Sequence, residues 1–435
     1  MLRWSTGSEV LGSEQGLTNR WLVLALLVLV YALNGADRQI LSVLAEPVRQ
    51  DLDLTDKQLG LLSGAIFAVF YTAVGLPIAW LADRVNRVRV VVAACLFWSA
   101  CTAFSGMALN FAQLALSRIG VAVGEAGCAP PSYSLLSDYF PPGRRATALG
   151  IFSLGFPLGI ALGTAACGWI TAHYGWRSAF LAMTLPGVVL GLLLLLVVRH
   201  PRRGRLDVAP AQGSGDGAPP LLAVCRDFFR RPVLRTTTIA GCFASFSTYG
   251  LMVWMPAFLI RDKGMTMLEL ASAYSFATGA AMMLGMLAGG YLTDRLVAVT
   301  RAAPALVPGI AYLVCVPLLL AAIWTDSWRI SLLCAVLPFA LMVMWLPPSL
   351  ATLQDACPAR SRAVTSAIFV SVTAIVGNSG GPFFIGWVSD LAAVEHPGSS
   401  LRIALTAFVP GFGLAGLAQL LVARAILREP PPLPA

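Results

Sequence analysis

The chain has 435 residues, of which 57% are hydrophobic and 12% are charged, and its mean hydropathy is +0.77. A soluble domain carries about 25% charged residues, so this composition excludes a soluble protein and indicates one embedded in a membrane. The formal net charge of +9 comes from basic residues dispersed between apolar stretches. Because they form no single basic face, nucleic acid is excluded as a partner.

Twelve apolar segments are long enough to cross a hydrocarbon core of about 30 Å, which takes roughly 20 helical residues. Continuous apolar runs indicate helices, because the strands of a membrane barrel alternate. The sequence therefore predicts an all-α membrane protein with twelve transmembrane helices. The predicted spans are 21–47, 57–82, 88–107, 110–137, 145–172, 176–198, 236–260, 267–293, 303–324, 329–353, 362–389 and 399–424.

Positive charge is distributed unequally between the two sides of the predicted bundle. The side that holds both termini carries 21 Lys and Arg residues, and the other side carries 7. By the positive-inside rule, residues 1–20 and the Pro-rich tail 425–435 are both cytoplasmic. No small-residue cleavage site follows the first apolar segment, so we expect a retained span rather than a signal peptide. The predicted location is the inner membrane of the cell, with multiple spans.

A polar interruption divides the spans into two groups of six. Residues 199–235 include "APAQGSGDGAPP", a Gly, Pro and Ser-rich stretch that is typical of a flexible linker. The predicted bundles are therefore residues 21–198 and residues 236–424.

The two groups repeat each other locally. "AWLADR" from Ala79 matches "GYLTDR" from Gly290 at an offset of 211 residues, and "RATALGIF" from Arg145 matches "RAVTSAIF" from Arg362 at 217. Matches in the same order at similar offsets indicate duplication of a six-span unit. Two such bundles, related by pseudo-symmetry, are typical of transporters in which one half rocks against the other.

The stretch "AWLADRVNRVR" resembles the loop signature of the major facilitator superfamily. Asp83, Arg84, Arg87 and Arg89 match that signature, while Asn86 stands where a Gly is usual. The resemblance extends over nearly the whole chain and implies the superfamily's twelve-span fold. It also implies a charge network that closes the cytoplasmic gate, formed by Asp83, Arg84, Arg87, Asp138, Asp294 and Arg295. The alternative is that these charges only set topology at the membrane interface.

A finer resemblance is to the Spinster family, whose members transport sphingosine 1-phosphate and lysophospholipids. It depends on the Asp37-Arg38 pair, on "GLLSGAIFAVFYTAVGLPIAWLADRVNR" and on "RIGVAVGEAGCAPPSYSLLSDYFP". The chain departs from that family at Pro130 and Pro131, which stand where a single, later proline is expected. Superfamily members that move small organic anions with protons also carry "GEA" after an Arg.

Four charged residues lie in span interiors, all in the first half: Asp37, Arg38, Arg118 and Glu125. A charge at a helix centre costs about 2.5 to 3.5 kcal/mol on insertion scales, so such residues usually face a water-filled path. We hypothesise that Arg38 and Arg118 hold the anionic head group of a substrate, because Arg suits phosphate and carboxylate. Asp37 and Glu125 would carry the coupling proton. The alternative is two salt bridges that only fasten spans 1 and 4.

Polar and aromatic residues extend this predicted cavity. Tyr31 and Asn34 fall on the same face of span 1 as the charged pair. The second half has no charge in any span interior, and its aromatic and Met side chains suit a flexible apolar tail. The second-half candidates are Phe246, Tyr249, Trp254, Met342 and Trp345. Their alternative role is contact with lipid or neighbouring helices.

Competing functional classes lack the residues that they need. No His lies in a span interior, no zinc-binding HExxH occurs, and no phosphate loop of a primary pump is present. The nine cysteines have no metal-ligand spacing, and we expect no cofactor and no metal. The sequence predicts a monomeric, proton-coupled secondary transporter of an anionic amphiphile such as a lysophospholipid. Transport of small organic anions or drug efflux is the alternative, and a receptor or scaffold is a remote one.

Overall fold

The structure of the chain is a computed structural model that describes residues 18–82, 84–199, 201, 221–357 and 362–428. These described residues form helices and connections, with no strand among them. We number the membrane spans 1 to 12 in chain order. The side of the bundle where the described chain begins and ends is called the terminal side, and the other is called the opposite side.

The first six spans follow the predicted boundaries within a few residues. Span 1 is followed on the opposite side by a short helix, Ala45–Leu52. The span helices are Arg20–Val43 (span 1), Asp56–Ala82 (span 2), Arg87–Gly106 (span 3), Phe111–Glu125 with Ala129–Tyr139 (span 4), Pro142–Tyr174 (span 5) and Trp176–Val197 (span 6).

The second six spans repeat this arrangement. A helix that lies inside the predicted linker, Leu221–Arg230, precedes them. The span helices are Pro232–Arg261 (span 7), Met267–Val297 (span 8), Ala303–Trp324 (span 9), Trp328–Leu341 with Leu346–Asp355 (span 10), Arg362–Thr373, Ala374–Asn378 and Ser379–Ala393 (span 11), and Ser400–Phe408 with Pro410–Arg428 (span 12).

Spans 4 and 10 are each broken near their middle, which the sequence analysis did not predict. Eleven described stretches are long and apolar enough to cross a membrane as helices, and span 4 is excluded because of its break. Each second segment has Pro at its first helical positions, Pro130-Pro131 in span 4 and Pro347-Pro348 in span 10. Proline lacks a backbone N–H and fits the first turn of a helix, but it cannot continue a preceding one. The two Pro-Pro pairs lie 217 residues apart, the offset that relates spans 5 and 11.

Spans 2 and 8 begin with the same local structure. Thr55 with Gln58, and Thr266 with Glu269, form capping boxes at the two helix starts. Each box satisfies two otherwise unpaired helix N–H groups. A π-helical turn follows in both spans, and the two Thr residues are separated by the 211-residue offset seen in the sequence. The duplication is therefore visible in the backbone.

The end of the predicted linker is ordered against the second half. The helix Leu221–Arg230 contacts spans 7 and 11, and Phe228 on it is fully buried. Arg231 donates from Nη1 to the carbonyl oxygen of Ala356 over 2.7 Å. The Gly, Pro and Ser-rich part of the linker, residues 202–220, lies outside the described residues.

Glycines bring span 5 against span 1 in the first half. The sequence "SLGFPLGIALG" predicts close helix contact through small residues, and this contact is present. A Cβ atom at Gly159 would lie 1.7 Å from the carbonyl oxygen of Ala32, and one at Gly163 would lie 2.4 Å from the Cβ of Ala36. Only glycine leaves room for the backbones at this separation.

The two halves meet through spans 2 and 11 and through spans 5 and 8. Gly60 packs on the backbone of Pro382, and Gly168 packs on Ala271, both toward the opposite side. Toward the terminal side, by contrast, a Cβ at Gly75, Gly150 or Gly290 would meet no atom within 4 Å. The described glycine contacts between the halves are therefore close on the opposite side, and these three glycines add none toward the terminal side.

Candidate functional site

Arg38 and Glu125 form an ion pair between span 1 and the break in span 4. The Nη2 and Nε atoms of Arg38 donate to Oε2 of Glu125 over 3.2 and 3.3 Å. Glu125 is fully buried, whereas 16% of the Arg38 side chain is exposed. A guanidinium has five N–H donors, so Arg38 keeps donors for an incoming anion on its exposed side.

Aromatic rings surround the Arg38 guanidinium. Its central carbon lies 4.9 and 4.8 Å from the ring centres of Phe67 and Tyr71 in span 2, and 5.3 Å from that of Phe156 in span 5. Tyr249 of span 7, in the other half, lies near enough to Arg38 to interact with it electrostatically. Cations within about 6 Å of a ring centre are attracted by its π face. We call Arg38, Glu125 and these four rings the arginine site.

The three first-half rings of the arginine site were missed by the sequence analysis. Phe67 and Tyr71 are four residues apart in "FAVFY", a spacing that places them on one face of span 2. That spacing was available as a signal, but which helix the face meets depends on the packing of the bundle. Phe156 had no sequence signal beyond its place among small residues.

The predicted polar residues of span 1 lie close to this site. Tyr31 stacks on Phe152 of span 5 with ring centres 4.5 Å apart, and Phe152 in turn contacts Tyr133 edge-on at 5.1 Å. Asn34 is buried, with 2% of its surface exposed. Tyr31 therefore extends the aromatic rings of the arginine site through Phe152 and Phe156, and we call these rings together the aromatic wall. Asn34 lies inside the helix packing.

Arg118 contacts the main chain of span 1 rather than a carboxylate. Its Nη1 donates to the carbonyl oxygen of Asp37 over 3.3 Å, and its guanidinium lies 5.5 Å from the ring centre of Phe67. Only 1% of Arg118 is exposed. Of the two arginines predicted to hold a head group, Arg38 is the one whose side chain is partly exposed.

Asp37 faces a different helix from Arg38. Neither oxygen of the Asp37 carboxylate has a hydrogen-bond partner among the described residues, and 1% of the residue is exposed. Trp98 and Thr102 of span 3 lie beside it. Consecutive helical residues point about 100° apart, so Asp37 and Arg38 meet different neighbours. The predicted polar face of span 1 therefore divides into an arginine side and an aspartate side.

The predicted cavity residues of the second half are distributed between different environments. Tyr249 belongs to the arginine site. Trp254 is buried and its Nε1 donates to the carbonyl oxygen of Pro382 over 2.8 Å, which ties span 7 to span 11. Met342 is fully buried at the break in span 10, and Trp345 contacts Phe369 edge-on at 6.1 Å.

Phe246 lines an apolar crevice on the second half. The crevice has a volume of about 520 Å³ and lies between spans 7, 11 and 12. The rings of Phe246 and Phe408 are 5.0 Å apart, and Phe384 joins them. The kink between the two helices of span 12, at Val409, borders the crevice.

The charges predicted to close the terminal side make contacts within their own half. Arg87 is buried and binds Asp138 and the hydroxyl of Ser134, all in the first half. Arg84 covers the ring of Trp80 at 3.7 Å. Asp294 and Arg295 are exposed on span 8, where Arg295 lies 4.9 Å from the ring of Tyr291, and Asp83 lies outside the described residues.

A second charge cluster, missed by the sequence analysis, joins the halves on the opposite side. Arg261 of span 7 donates from Nε to Glu46 over 2.9 Å and, in a fork, to both oxygens of Asp56 over 2.6 and 2.9 Å. Asp390 of span 11 accepts from the backbone N–H groups of Asp56 and Lys57, each over 2.9 Å. We call these residues the opposite-side lock.

Glu46 in this lock is held in its charged form. Burial alone would raise its pKa, but the hydrogen bond from Arg49 and the charges of Arg261 and Arg49 outweigh burial and lower it. Gln50 also donates to Glu46 over 2.7 Å. The signal for the lock was the run of charges in "EPVRQDLDLTDK", but the partner Arg261 is 215 residues away along the chain.

The Major Facilitator Superfamily profile matches residues 27–382. An MFS-type efflux pump of Mycolicibacterium smegmatis is 34% identical over 93% of this chain and 92% of its own. The cis,cis-muconate transport protein of Acinetobacter baylyi is 28% identical over 63% of this chain and 65% of its own.

Solved structures include one with a similar fold. The crystal structure of a bacterial homologue of the human lysosomal transporter Spinster, inward-facing and unoccupied, superposes with a TM-score of 0.82. It is 30% identical and covers 95% of this chain and 99% of that one.

Proposed function

The chain belongs to the major facilitator superfamily and is a transporter that works by alternating access, and we propose that it binds a substrate's anionic group at Arg38. We further propose that the substrate is an amphiphile, such as a lysophospholipid, and that protons drive its movement. The single observation that carries the proposal is the partly exposed Arg38 inside its aromatic enclosure.

The head group would replace Glu125 as the partner of Arg38. A phosphate or carboxylate can accept two parallel hydrogen bonds from a guanidinium, whereas Glu125 accepts both of its bonds on one oxygen at 3.2 and 3.3 Å. These distances are longer than those of a strong charge-assisted bond, so an incoming anion can compete for Arg38. Arg118 is buried in span 4 and would not touch the substrate, but its positive charge would stabilise the negative charge of the head group from a distance.

A proton would balance the charge of the substrate. Asp37, Glu125, Arg38 and Arg118 sum to zero when all are charged. An added anion leaves Glu125 without its cation in a fully buried position, which favours the protonated carboxyl. Asp37, also buried, is the second proposed proton carrier. Uptake of one anion together with one proton therefore keeps the sum of charges at these four residues and the bound substrate at zero.

The apolar part of the substrate would lie against the aromatic wall and the second half. Phe67, Tyr71 and Phe156 cover the first-half side of the path, and the span interiors of the second half contain no charge. Such a surface accommodates an acyl chain or an aromatic body without desolvating a charge.

The finer organisation of the molecule is part of the proposal. Residues 21–198 and 236–424 would move as two bundles in a monomer within the inner membrane, with both termini cytoplasmic. The terminal side would then be the cytoplasmic side. The predicted gate charges would bridge the halves only in the outward-open state. They are Asp83, Arg84, Arg87, Asp138, Asp294 and Arg295. The contact of Arg87 with Asp138, both in the first half, agrees with an open gate in this structure.

A second candidate function is transport of small organic anions, and it is favoured by the similarity to the cis,cis-muconate transport protein. The arginine site suits a small carboxylate as well as a phosphate. Drug efflux is supported by the similarity to the mycobacterial pump.

One binding experiment separates these possibilities. The purified full chain in lipid nanodiscs is titrated with lysophosphatidic acid, sphingosine 1-phosphate, cis,cis-muconate and ethidium, beside Arg38→Ala and the exposed-arginine control Arg329→Ala. We expect saturable lysolipid binding that Arg38→Ala weakens at least tenfold and Arg329→Ala leaves unchanged. Binding of muconate but of neither lysolipid would favour transport of small organic anions. Lysolipid binding by Arg38→Ala as tight as that of the wild-type chain would overturn the role of Arg38.

Flux then tests the coupling. In proteoliposomes loaded with the ligand that binds, an imposed pH gradient should drive transport by the wild-type chain. Glu125→Gln cannot release a proton at this position, so its transport should depend less on the gradient than that of the wild-type chain. A full dependence on the gradient in Glu125→Gln would contradict the proton-carrier role of Glu125.

A further inference from the structure

Four buried polar atoms between spans 1 and 3 have no hydrogen-bond partner among the described residues. They are both carboxylate oxygens of Asp37, Nε1 of Trp98 and Oγ1 of Thr102. Asp37 and Thr102 are each 1% exposed, and Trp98 is not exposed at all. Trp98 and Thr102 are the side-chain donors that lie beside the Asp37 carboxylate.

The chemistry of these unpaired groups is complementary. A charged carboxylate only accepts hydrogen bonds, an indole N–H only donates, and a hydroxyl can do either. Leaving a buried polar group unpaired costs about 1 to 3 kcal/mol, so such groups are rare and need an explanation. Here each unpaired donor has an unpaired acceptor next to it.

The second half contains a completed network at the corresponding place. Thr248 lies 211 residues after Asp37, the offset that relates span 2 to span 8. Its hydroxyl lies 2.9 Å from the hydroxyl of Tyr312 in span 9 and donates to the carbonyl oxygen of Met342 over 3.0 Å. The duplicated architecture therefore joins span 7 to span 9 through this position, and the same position of span 1 faces span 3.

We propose that Trp98 and Thr102 are positioning residues that hydrogen-bond the Asp37 carboxylate when it is charged, and that they set the pH at which Asp37 takes up its proton. This inference rests on the proposed role of Asp37 as a proton carrier. In the structure these donors lie beside the acceptor, so span 3 can supply the hydrogen bonds that the charged carboxylate needs.

Other charged and titratable groups also face Asp37. Arg118 and Glu125 approach it from span 4, Cys95 from span 3 and Cys167 from span 5. Arg38, next to it in the chain, points to the arginine site instead. Arg118 contacts the carbonyl oxygen of Asp37 and not its carboxylate, so the span 3 donors are the neutral groups available to the acid itself.

Separate sides of span 1 would then serve the proton on Asp37 and the substrate. The substrate anion meets Arg38 beside spans 2 and 5, while the proton on Asp37 is controlled from span 3. A positioning group on span 3 can change the pH dependence of transport without touching the substrate.

The test is an infrared titration that needs no substrate. The carboxyl band of Asp37 is identified by its loss in Asp37→Asn and followed against pH in the purified full chain in nanodiscs. In Trp98→Phe and in Thr102→Val the charged carboxylate loses a donor, so each variant should move the midpoint about one unit to higher pH, a tenfold change in proton affinity. Thr102→Ser keeps the hydroxyl and should restore the wild-type midpoint.

The chain offers matched controls for both variants. Trp176 and Thr237 are also buried and have an unpaired Nε1 and an unpaired hydroxyl among the described residues, but they belong to spans 6 and 7. Trp176→Phe and Thr237→Val should leave the Asp37 midpoint unchanged. The proposal is overturned if the test variants move the midpoint no further than these controls, or if the Asp37 band does not titrate.

This outcome is separable from that of the proposed function. Arg38→Ala should abolish ligand binding yet leave the response of the Asp37 band to Trp98→Phe and Thr102→Val intact. A normal band response with no lysolipid binding would therefore refute the substrate and keep the positioning residues. If Trp98→Phe fails to fold, the comparison of Thr102→Val with Thr102→Ser still decides the outcome.

Discussion

The two halves bend at corresponding places but differ in what those places hold. Span 4 breaks after Glu125 and span 10 breaks after Leu341, each followed by a Pro-Pro pair, so that Met342 stands where Glu125 does at the 217-residue offset. At the 211-residue offset, Thr248 and Tyr249 stand where Asp37 and Arg38 do. The first half carries charge at every one of these positions, and the second half carries none.

This difference separates the requirements of the fold from those of transport. The neutral positions of the second half form a hydrogen-bonded network around Tyr312, and they support the same backbone without charge. The charged positions of the first half are therefore not needed to make the bend. Buried charges are costly in a membrane and are expected where a pathway uses them.

The largest expected effect comes from breaking the ion pair. Arg38→Met leaves the fully buried Glu125 without its partner, and removal of one member of a buried pair costs about 3 to 5 kcal/mol. We expect a correspondingly large drop in the free energy of unfolding, measured by chemical denaturation in detergent. The double variant Arg38→Met with Glu125→Gln should recover most of it, and Tyr249→Phe at the corresponding place should change little.

The next effect concerns the contact between spans 1 and 5. Gly159→Ala places a Cβ against the backbone of Ala32, and overpacking of this kind costs about 1 to 3 kcal/mol. Gly150→Ala, on the same helix but with no atom within 4 Å, is the control and should not destabilise the protein. Equal melting temperatures for the two variants would show that the helices are farther apart than described.

A smaller effect should distinguish the neutral network from the charged one. Thr248→Val removes two hydrogen bonds in the second half and should cost about 1 kcal/mol without altering the pH dependence of transport. Asp37→Asn, at the corresponding place, should change the pH dependence instead. Flux against pH for the two variants is the measurement, and a pH shift in Thr248→Val would contradict the assignment of coupling to the first half.

The smallest effect concerns Glu46 in the opposite-side lock. The pKa of Glu46 is lowered, so its charged form stabilises the closed opposite side at pH values above the ordinary glutamate pKa. This stabilisation is lost as the pH falls through the lowered pKa of the folded protein. Glu46→Gln removes this contribution of about 1 kcal/mol. The difference in melting temperature between wild type and variant should therefore be largest near neutral pH and vanish in acid.

The sequence predicted the spans, the two halves and the four charges inside the spans, because hydropathy and charge act within a few residues of each position. It did not predict that Asp37 and Arg38 face different helices, since that depends on how span 1 is rotated in the bundle. The breaks in spans 4 and 10 were visible as Pro-Pro pairs but were assigned to continuous spans on length alone. It also did not predict the ion pair of Arg261 with Glu46, because these residues belong to different halves and meet only when the halves pack together.

One contact of the opposite-side lock joins a carboxylate of one half to a helix start of the other. Asp390 of one half caps the helix start of span 2 in the other half through the N–H groups of Asp56 and Lys57. A carboxylate at a helix start contributes about 1 kcal/mol, and water can replace it when the halves part. Parting of the halves would therefore exchange one acceptor of these amides for another, and this part of the opposite-side lock can open and close at little cost in free energy.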